Sequence, residues 1–363
     1  MIVVAKIGTS SITDDRGELS PRAVAKLCAE VAELRGDGHH VVIVSSGAIA
    51  AGVPAVGLGH EWPGDTATLQ AVAAVGQSRL MRAYDDALAE HRLVAGQVLL
   101  APLDFVHRRQ YLHARATLRR LFELGIVPVV NENDAVADDE IRFGDNDRLA
   151  ALVAHLVGAD LLVLLTDTPG MLTADPRLSS DASLIEEILE VDHELERLAG
   201  GRGTSRGSGG MASKLAAVKI AAWSGVRAVI AAADRPGVLV DAIAGDPSVG
   251  TVVREHERRL PARKLWIAFA VGAAGTVVVD DGARRALTER GASLLAAGVR
   301  DVHGSFDADD AVEIADASGK VFAKGLVRCG AAVIRQSAGR RTSDLPDGSP
   351  TEVVHRDDLV VLV

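Results

Sequence analysis

The sequence predicts an α/β protein with a mainly parallel, open sheet sandwiched by helices, followed by a small β-rich domain. Over the first 250 residues, short β-branched runs alternate with amphipathic helical segments. Such alternation is typical of a parallel sheet covered by helices on both faces. The pattern then changes to a dense charged stretch, 254–264, which contains Pro261. We therefore expect one domain at residues 1–253, a linker at 254–274 and a second domain at 275–353.

The expected elements of the first domain follow one another along the chain. Apolar runs predict buried strands at 2–5, 41–44, 94–100, 126–130, 161–165 and 228–232. Apolar residues at helical spacing predict helices at 20–35, 66–91, 108–124, 148–157 and 212–224. Ser20 is the expected N-cap of the first helix, with Pro21 at its first position. One face of this helix carries the apolar residues Val24, Leu27, Val31 and Leu34.

The second domain is expected to be built mostly from short strands. Apolar runs predict strands at 276–280, 312–315 and 321–324. The sequence ASGK at 317–320 is typical of the turn of a hairpin that joins the last two. A short helix is expected at 288–297.

Composition places the chain among ordinary globular proteins and excludes several classes. Of its 363 residues, 48% are hydrophobic and 24% charged, close to the average. Its two cysteines cannot form a disulfide framework and fit a reduced compartment. No basic leader precedes the first strand and no apolar run reaches the length of a membrane span, so we expect a cytoplasmic protein. A net charge of −10 and 3% aromatic residues argue against binding to nucleic acid.

Polar segments follow the predicted strands, at the edge where parallel sheets bind ligands. They are KIGTS at 6–10, SSGAIAAG at 45–52, NENDAV at 131–136, GDND at 144–147 and TDTPG at 166–170. Lys6 and the hydroxyls behind it suit a phosphate, although a lysine that ends a strand can be a solvated edge charge. The serines at 45 and 46 suit a carboxylate or a helix cap. The polar residues at 131–134 suit an amino group or a metal, whereas 144–147 can also be a solvated acidic turn.

The segment 200–214, GGRGTSRGSGGMASK, contains six glycines and delivers a lysine to the start of an apolar helix. Glycines let backbone N–H groups face an anion, and a helix N-terminus adds a positive field. Alone, the segment fits a surface linker as well. Together with Lys6 and the strand-end clusters, it predicts a phosphate site at 208–214. The upstream half, 200–207, is predicted to be a hinge or flap that is poorly ordered without nucleotide.

These motifs together closely resemble the glutamate 5-kinase family of the amino acid kinase superfamily. The tail, which includes ERGASLLAAG at 289–298, resembles a PUA domain. The resemblance covers nearly the whole chain, and the pair NEND and GDND is its discriminating part. It implies ATP-dependent phosphorylation of the side-chain carboxylate of L-glutamate, the first step of proline biosynthesis. It also implies Mg²⁺, feedback inhibition by proline, a homo-oligomer (dimer or tetramer) and a hand-off to glutamyl phosphate reductase.

The resemblance also implies roles for individual residues, with none assigned as a metal ligand. Lys6 and Lys214 match phosphate-contacting lysines, and Asp147 matches the carboxylate that orients them. The glutamate-binding positions are Ser46, Asp134 and Asn146. The ATP-binding positions are Lys6, Thr166, Asp167, Ser208, Gly209, Gly210, Met211, Ala212, Ser213 and Lys214.

The expected chemistry agrees with these residue types. A glutamate side chain has a pKa of about 4.3, so it is already ionised at neutral pH and needs no general base. Phosphoryl transfer then depends on positioning and electrostatic stabilisation, which two lysines can supply. The nearest alternative is a kinase for aspartate, acetylglutamate or carbamate. An RNA-binding role of the tail is the alternative from another class, but residues 275–353 carry ten Lys and Arg against twelve Asp and Glu.

Overall fold

The computed structural model describes residues 1–58, 63–105, 107–136, 146–174, 181–199, 210–256, 259–340 and 351–362. The chain divides into two compact units, Met1–Arg259 and Leu260–Val363. The predicted fold class is confirmed, because the first unit is a mostly parallel sheet flanked by helices and the second is rich in strands. The boundaries of the predicted domains and linker stay predictions.

The first unit is built on an eight-stranded sheet with the order β3-β4-β2-β1-β5-β7-β8-β6. The strands are β1 Ile2–Ile7, β2 His40–Ser45, β3 Ala95–Leu100, β4 Val127–Glu132, β5 Leu161–Thr166, β6 Glu187–Ile188, β7 Arg227–Ala232 and β8 Thr251–Val253. All six predicted strands are present, but β3 is not buried as predicted, because it lies at the edge of the sheet and only Leu100 of its residues is buried. β8 pairs with β7 in antiparallel fashion, whereas the other pairs of neighbouring strands are parallel. The sequence did not predict β6 and β8, whose two and three residues are too short to show a pattern.

The helices of the first unit agree with all five predicted spans to within about two residues at each end. They are α1 Thr9–Ile12, α2 Pro21–Gly36, α3 Ala48–Gly52, α4 Thr66–Ala89, α5 Arg108–Glu123, α6 Asn146–Val157, α7 His193–Ala199, α8 Met211–Trp223 and α9 Val238–Ala244. The predicted start of α2 is confirmed, because the hydroxyl of Ser20 accepts a hydrogen bond from the N–H of Ala23 at 3.3 Å. The helix α6 begins at Asn146 rather than Arg148, which brings two further polar residues into its first turn.

Alternation along β1 sends its side chains to two different layers. Val3, Ala5 and Ile7 belong to the buried core formed with α2, α4 and α9. Lys6 points to the opposite face, where it meets Asp147 of α6. The helix α6 packs in turn against α8. One strand thus anchors the core and delivers a lysine to the other side of the sheet.

Two glycines allow α3 and α4 to pack in close contact. A Cβ added at Gly76 would lie 1.7 Å from the carbonyl oxygen of Ala48, and one at Gly52 would lie 2.1 Å from that of Val72. Real Cβ atoms do not approach backbone this closely, so the two helices would have to separate. This contact holds α3 directly behind the polar segment at 45–47.

Replacing Gly76 by alanine is therefore expected to lower the free energy of unfolding by about 3 kcal/mol, the cost of overpacking a tight contact. Gly36→Ala is the matched control, because Gly36 is also helical and nothing lies within 4 Å of an added Cβ. Thermal unfolding of both variants measures the difference. Equal midpoints for Gly76→Ala and the wild type would show that the two helices adapt without cost.

The second unit contains a six-stranded sheet with the order β10-β14-β13-β12-β9-β11. Its strands are β9 Gly275–Val279, β10 Leu294–Leu295, β11 Val299–Gly304, β12 Ala311–Ala315, β13 Val321–Val327 and β14 Glu352–Val361. Its helices are α10 Ala262–Leu265, α11 Asp281–Arg290 and α12 Ala331–Ser337, and a π-helical segment spans Trp266–Ala270. The predicted hairpin is confirmed by the antiparallel pairing of β12 with β13.

The helix predicted at 288–297 is wrong. The helix of this region is α11, which begins after Asp280, whose carboxylate accepts from the N–H of Ala283 at 2.7 Å. It ends at Gly291, which has a φ of +59° and caps the helix in the left-handed conformation. The following residues form β10 and a short 3₁₀ turn, Ala296–Gly298. The prediction assigned the capping aspartate to a strand and missed the glycine as a stop signal.

Cys28 and Cys329 are both free thiols. Within the described residues, no helix combines the length and the apolar character needed to cross a membrane.

Candidate active site

Three charged side chains meet beyond the centre of the first sheet. Lys6, near the end of β1, places its Nζ 2.5 Å from Oδ1 of Asp147, in the first turn of α6. Lys214, in the first turn of α8, places its Nζ 3.4 Å from Oδ2 of the same carboxylate. The hydroxyl of Ser213 also donates to Oδ2, at 3.2 Å. The structure thus brings together three residues that are far apart in sequence, and we call Lys6, Asp147 and Lys214 the lysine cluster.

The lysine cluster is buried and carries one excess positive charge. Lys6, Asp147 and Lys214 are 4%, 1% and 8% exposed. Burial opposes ionisation of Asp147, but the ammonium groups of Lys6 and Lys214 outweigh it and lower the pKa of the carboxyl. Because one carboxylate faces two ammonium groups in a low-dielectric site, the cluster is electrostatically suited to an anion such as a phosphoryl group.

The backbone around the cluster leaves room for these lysines. A Cβ on Gly8 would lie 3.3 Å from Nζ of Lys6, so glycine keeps the ammonium uncrowded. Gly210 is the N-cap of α8 and contributes no side-chain cap. The first N–H groups of this thirteen-residue helix are therefore not satisfied by a capping side chain, as an anion site requires.

A chain of amide and hydroxyl groups runs next to the lysine cluster. Asn146, directly before Asp147, donates from Nδ2 to Oγ of Ser46 at 2.9 Å and to Oδ1 of Asn131 at 3.0 Å. Asn131 in turn donates from Nδ2 to Oε1 of Gln77 at 2.9 Å. We call Gln77, Asn131, Asn146 and Ser46 the amide network. Asn131, Asn146 and Gln77 are buried.

The serines after β2 are not helix caps. The N-cap of α3 is Gly47, which has a φ of +103° and makes no side-chain cap. Ser45 instead accepts a hydrogen bond from the hydroxyl of Tyr84 at 2.8 Å and donates to the carbonyl oxygen of Ser46 at 2.8 Å. This leaves the hydroxyl of Ser46 for the amide network.

Asp134 lies in a short 3₁₀ turn after β4, Asp134–Val136. Burial and then the charge of Glu132 raise the pKa of its carboxyl to about 7. A half-buried carboxylate at this edge suits a cationic group of a ligand.

Thr166 and Asp167 follow β5, as predicted, and the hydroxyl of Thr166 donates to Oδ1 of Asp167 at 3.1 Å. Both line a cavity of about 470 Å³ whose walls include Ile7, Ser10 and Leu165. Met211 and Ala212 begin α8 next to Ser213. The predicted residues Ser208 and Gly209, and the predicted hinge at 200–207, lie outside the described residues.

The sequence reasoning missed two members of the amide network. Asn131 lies in the NENDAV motif, in which the resemblance implies a role for Asp134 alone. Gln77 carries a signal that was not used, because it is a polar residue on the buried face of α4. That face is formed by Val72, Ala73, Gly76, Leu80 and Tyr84.

Mg²⁺, which the resemblance implies, prefers several oxygen ligands. Within the described residues, no group of three or more His, Cys, Asp or Glu side chains could hold a metal ion. The carboxylate of Asp147 faces two lysines instead.

Two family models and several relatives match this chain. The model of the amino acid kinase family matches residues 1–232, and that of the PUA domain matches residues 275–348. A glutamate 5-kinase of Citrifermentans bemidjiense is 46% identical over 99% of this chain and 97% of its own length. One of Vibrio campbellii is 42% identical over 99% of this chain and 96% of its own. A solved carbamate kinase of Giardia lamblia, bound to AMP-PNP, shares 16% identity at a TM-score of 0.49, over 70% of this chain and 98% of that one.

The amino acid kinase model matches most of the chain, and the two relatives align with nearly its full length. These matches define the class of the protein. The chain belongs to the amino acid kinase family and, within it, to the glutamate 5-kinases, and it carries a C-terminal PUA domain.

Proposed function

We propose that the protein transfers the γ-phosphoryl group of ATP to the side-chain carboxylate of L-glutamate, which yields glutamyl 5-phosphate. The observation that carries the proposal is the junction of two sites at the start of α6. Asn146 belongs to the amide network and Asp147 to the lysine cluster, and the two residues are consecutive. A small acid held by the first would lie beside a phosphate held by the second. The relatives named glutamate 5-kinase support the same reaction.

The reaction needs no proton transfer from the enzyme. An oxygen of the ionised carboxylate forms a bond to the γ-phosphorus while the bond from that phosphorus to the bridging oxygen breaks, and ADP leaves with its electron pair. Both reactants are anions, so their mutual repulsion must be offset in the transition state. Lys6 and Lys214 are assigned to the transferring group, and Asp147 holds their ammonium groups in place.

The other predicted residues divide between the two substrates. Asp134 is assigned to the α-ammonium group of glutamate, and Ser46 and Asn146 complete the glutamate site. Thr166, Asp167 and the segment 208–214 are assigned to ATP. ATP would bring Mg²⁺ with it, which would offset part of the negative charge of the triphosphate.

The product sets the biological role that we propose. An acyl phosphate is labile, and passing it to glutamyl phosphate reductase would make this reaction the first step of proline biosynthesis in the cytoplasm. Proline is the proposed feedback inhibitor, and a homo-oligomer, dimer or tetramer, is the proposed assembly.

The PUA domain is proposed to be structural or regulatory rather than to bind RNA. Its aromatic residues, Phe306 and Phe322, are both buried in the core of the second unit. Buried rings are not available to stack on bases. The excess of acidic over basic residues at 275–353 also opposes binding to phosphates.

A hydroxamate assay tests the reaction, because hydroxylamine traps acyl phosphates. We expect ATP-dependent hydroxamate with L-glutamate, and much less with L-aspartate, N-acetyl-L-glutamate or carbamate. Added proline is expected to lower the glutamate signal. If no hydroxamate forms with L-glutamate, or if more forms with another acid, L-glutamate is not the preferred substrate and the proposal is refuted.

A further inference from the structure

A single backbone group sets the polarity of the amide network. The N–H of Glu132 donates to the side chain of Asn131 at 2.9 Å. A backbone N–H can only donate, so the atom that it meets must be Oδ1 of Asn131. The Nδ2 group of Asn131 must then face Gln77, which receives it with Oε1. The orientation of both amides follows from hydrogen-bonding chemistry.

The same constraint determines which end of Asn146 remains available. Oδ1 of Asn131 also faces Asn146, so Asn146 must present Nδ2 to it. The second hydrogen of this NH₂ group goes to Oγ of Ser46. Both donors of Asn146 are therefore used. Its Oδ1 is buried and has no hydrogen-bond partner among the described residues, although Asn146 is only 4% exposed.

Burying a carbonyl oxygen without a hydrogen-bond partner costs free energy of folding, unless a ligand donates a hydrogen bond to it. A carboxylate cannot donate, whereas an ammonium group has three N–H donors. We propose that Oδ1 of Asn146 accepts a hydrogen bond from the α-ammonium group of the amino acid, an assignment that rests on the proposed function. Ser46, whose oxygen already accepts from Asn146, keeps its own hydrogen for a carboxylate oxygen of the substrate.

Gln77 thereby becomes a positioning residue for substrate recognition. Its Oε1 holds Nδ2 of Asn131, Asn131 holds Nδ2 of Asn146, and Asn146 turns its oxygen to the substrate. Without an acceptor at position 77, Nδ2 of Asn131 loses its partner, and of these two supports the side chain of Asn131 keeps only the N–H of Glu132. Asn146 then rests on a less firmly fixed neighbour, and its Oδ1 is held less precisely toward the ammonium group. The expected defect is confined to binding of the ammonium.

The test compares three variants in steady-state kinetics with L-glutamate and ATP varied separately. Gln77→Met removes the acceptor at similar volume and is expected to raise the KM for glutamate about tenfold. The KM for ATP and kcat are expected to stay within about threefold. Gln77→Glu retains an acceptor oxygen and is expected to raise the KM for glutamate clearly less than Gln77→Met does. Ser78→Ala is the control, because Ser78 is an exposed neighbour whose hydroxyl donates to the carbonyl oxygen of Val75 in the same helix.

Three results would overturn the proposal. One is that Gln77→Met changes the KM for glutamate and the KM for ATP equally. Another is that it loses thermal stability with both KM values unchanged. The third is that Gln77→Met and Gln77→Glu show equal defects. Each of these results would mean that Gln77 has only a structural role. Asn131→Ala interrupts the same chain one residue nearer the site. It must give the same glutamate-specific signature even where Gln77→Met does not fold. A wild-type protein that fails the hydroxamate assay would refute the proposed function instead.

Discussion

Lys214→Ala is expected to lower kcat by about 10²–10³-fold, the usual cost of removing one stabilising donor from a charge-developing transition state. The buried ammonium of Lys214 faces the same carboxylate as Lys6, so the remaining lysine keeps Asp147 paired. The fold is therefore expected to survive, and the KM for glutamate to change little. The measurement is steady-state hydroxamate formation at saturating ATP and glutamate.

Lys219→Ala is the matched control on the same helix. Its ammonium pairs with Glu196 at 2.6 Å near the surface and does not reach the lysine cluster. Turnover of this variant is expected to stay within about threefold of the wild type. A surface ion pair contributes little to stability, and this one does not touch the lysine cluster. Near-normal turnover of Lys214→Ala would refute the role assigned to the lysine cluster. A loss of folding in Lys214→Ala alone would assign Lys214 to stability.

Most strands of the first sheet could be predicted, because a strand that is buried in a parallel sheet consists mainly of β-branched and aliphatic residues. β1 and β5 illustrate this, since both are nearly free of polar residues. β8 was not predictable, because its three residues pair against the sheet direction and carry no periodic signal. The helix α11 was misplaced because its limits depend on Asp280 and Gly291, which act through capping rather than hydrophobic pattern.

The charged residues of the candidate site were predictable for a similar reason. Lys6 and Lys214 stand out at the ends of apolar elements, so the expected ligand edge could be inferred from sequence order. The pairing of both lysines with one aspartate depends on the packing of α6 against α8, which sequence order does not reveal. Gln77 illustrates the remaining limit. It lies 54 residues from its partner Asn131, and only the fold brings the two amides together.

Asp134→Asn is expected to lower kcat/KM for glutamate by about 10²-fold, because the proposed ammonium site loses its charge.

The wild type should show a related pH dependence. With a pKa of about 7 in the free enzyme, the carboxyl is mostly protonated at pH 6 and mostly ionised at pH 8. Only the ionised form pairs with an ammonium. The kcat/KM for glutamate should therefore fall about tenfold from pH 8 to pH 6 at saturating ATP, and this dependence should vanish in Asp134→Asn.

The thermal stability of the protein gives an independent measurement, because it should change with pH in the direction opposite to the activity. Burial raises the pKa of Asp134 in the folded state above its ordinary value, so the folded protein binds more protons than the unfolded chain between about pH 4 and 7. Stability conferred at this position is therefore lost as pH rises through that window. Asparagine stays neutral, so the melting temperature of Asp134→Asn should match the wild type near pH 4 and exceed it by about 3 °C or more at pH 8.

Asp85→Asn makes the same chemical change at an exposed position of α4 and should alter neither the activity nor its pH profile. The combination of weaker catalysis and higher stability at pH 8 separates a substrate-binding carboxylate from a structural one. A structural carboxylate would lose stability when amidated. A pH-independent kcat/KM in the wild type, or a variant less stable at pH 8, would therefore contradict the assignment of Asp134 to the ammonium group.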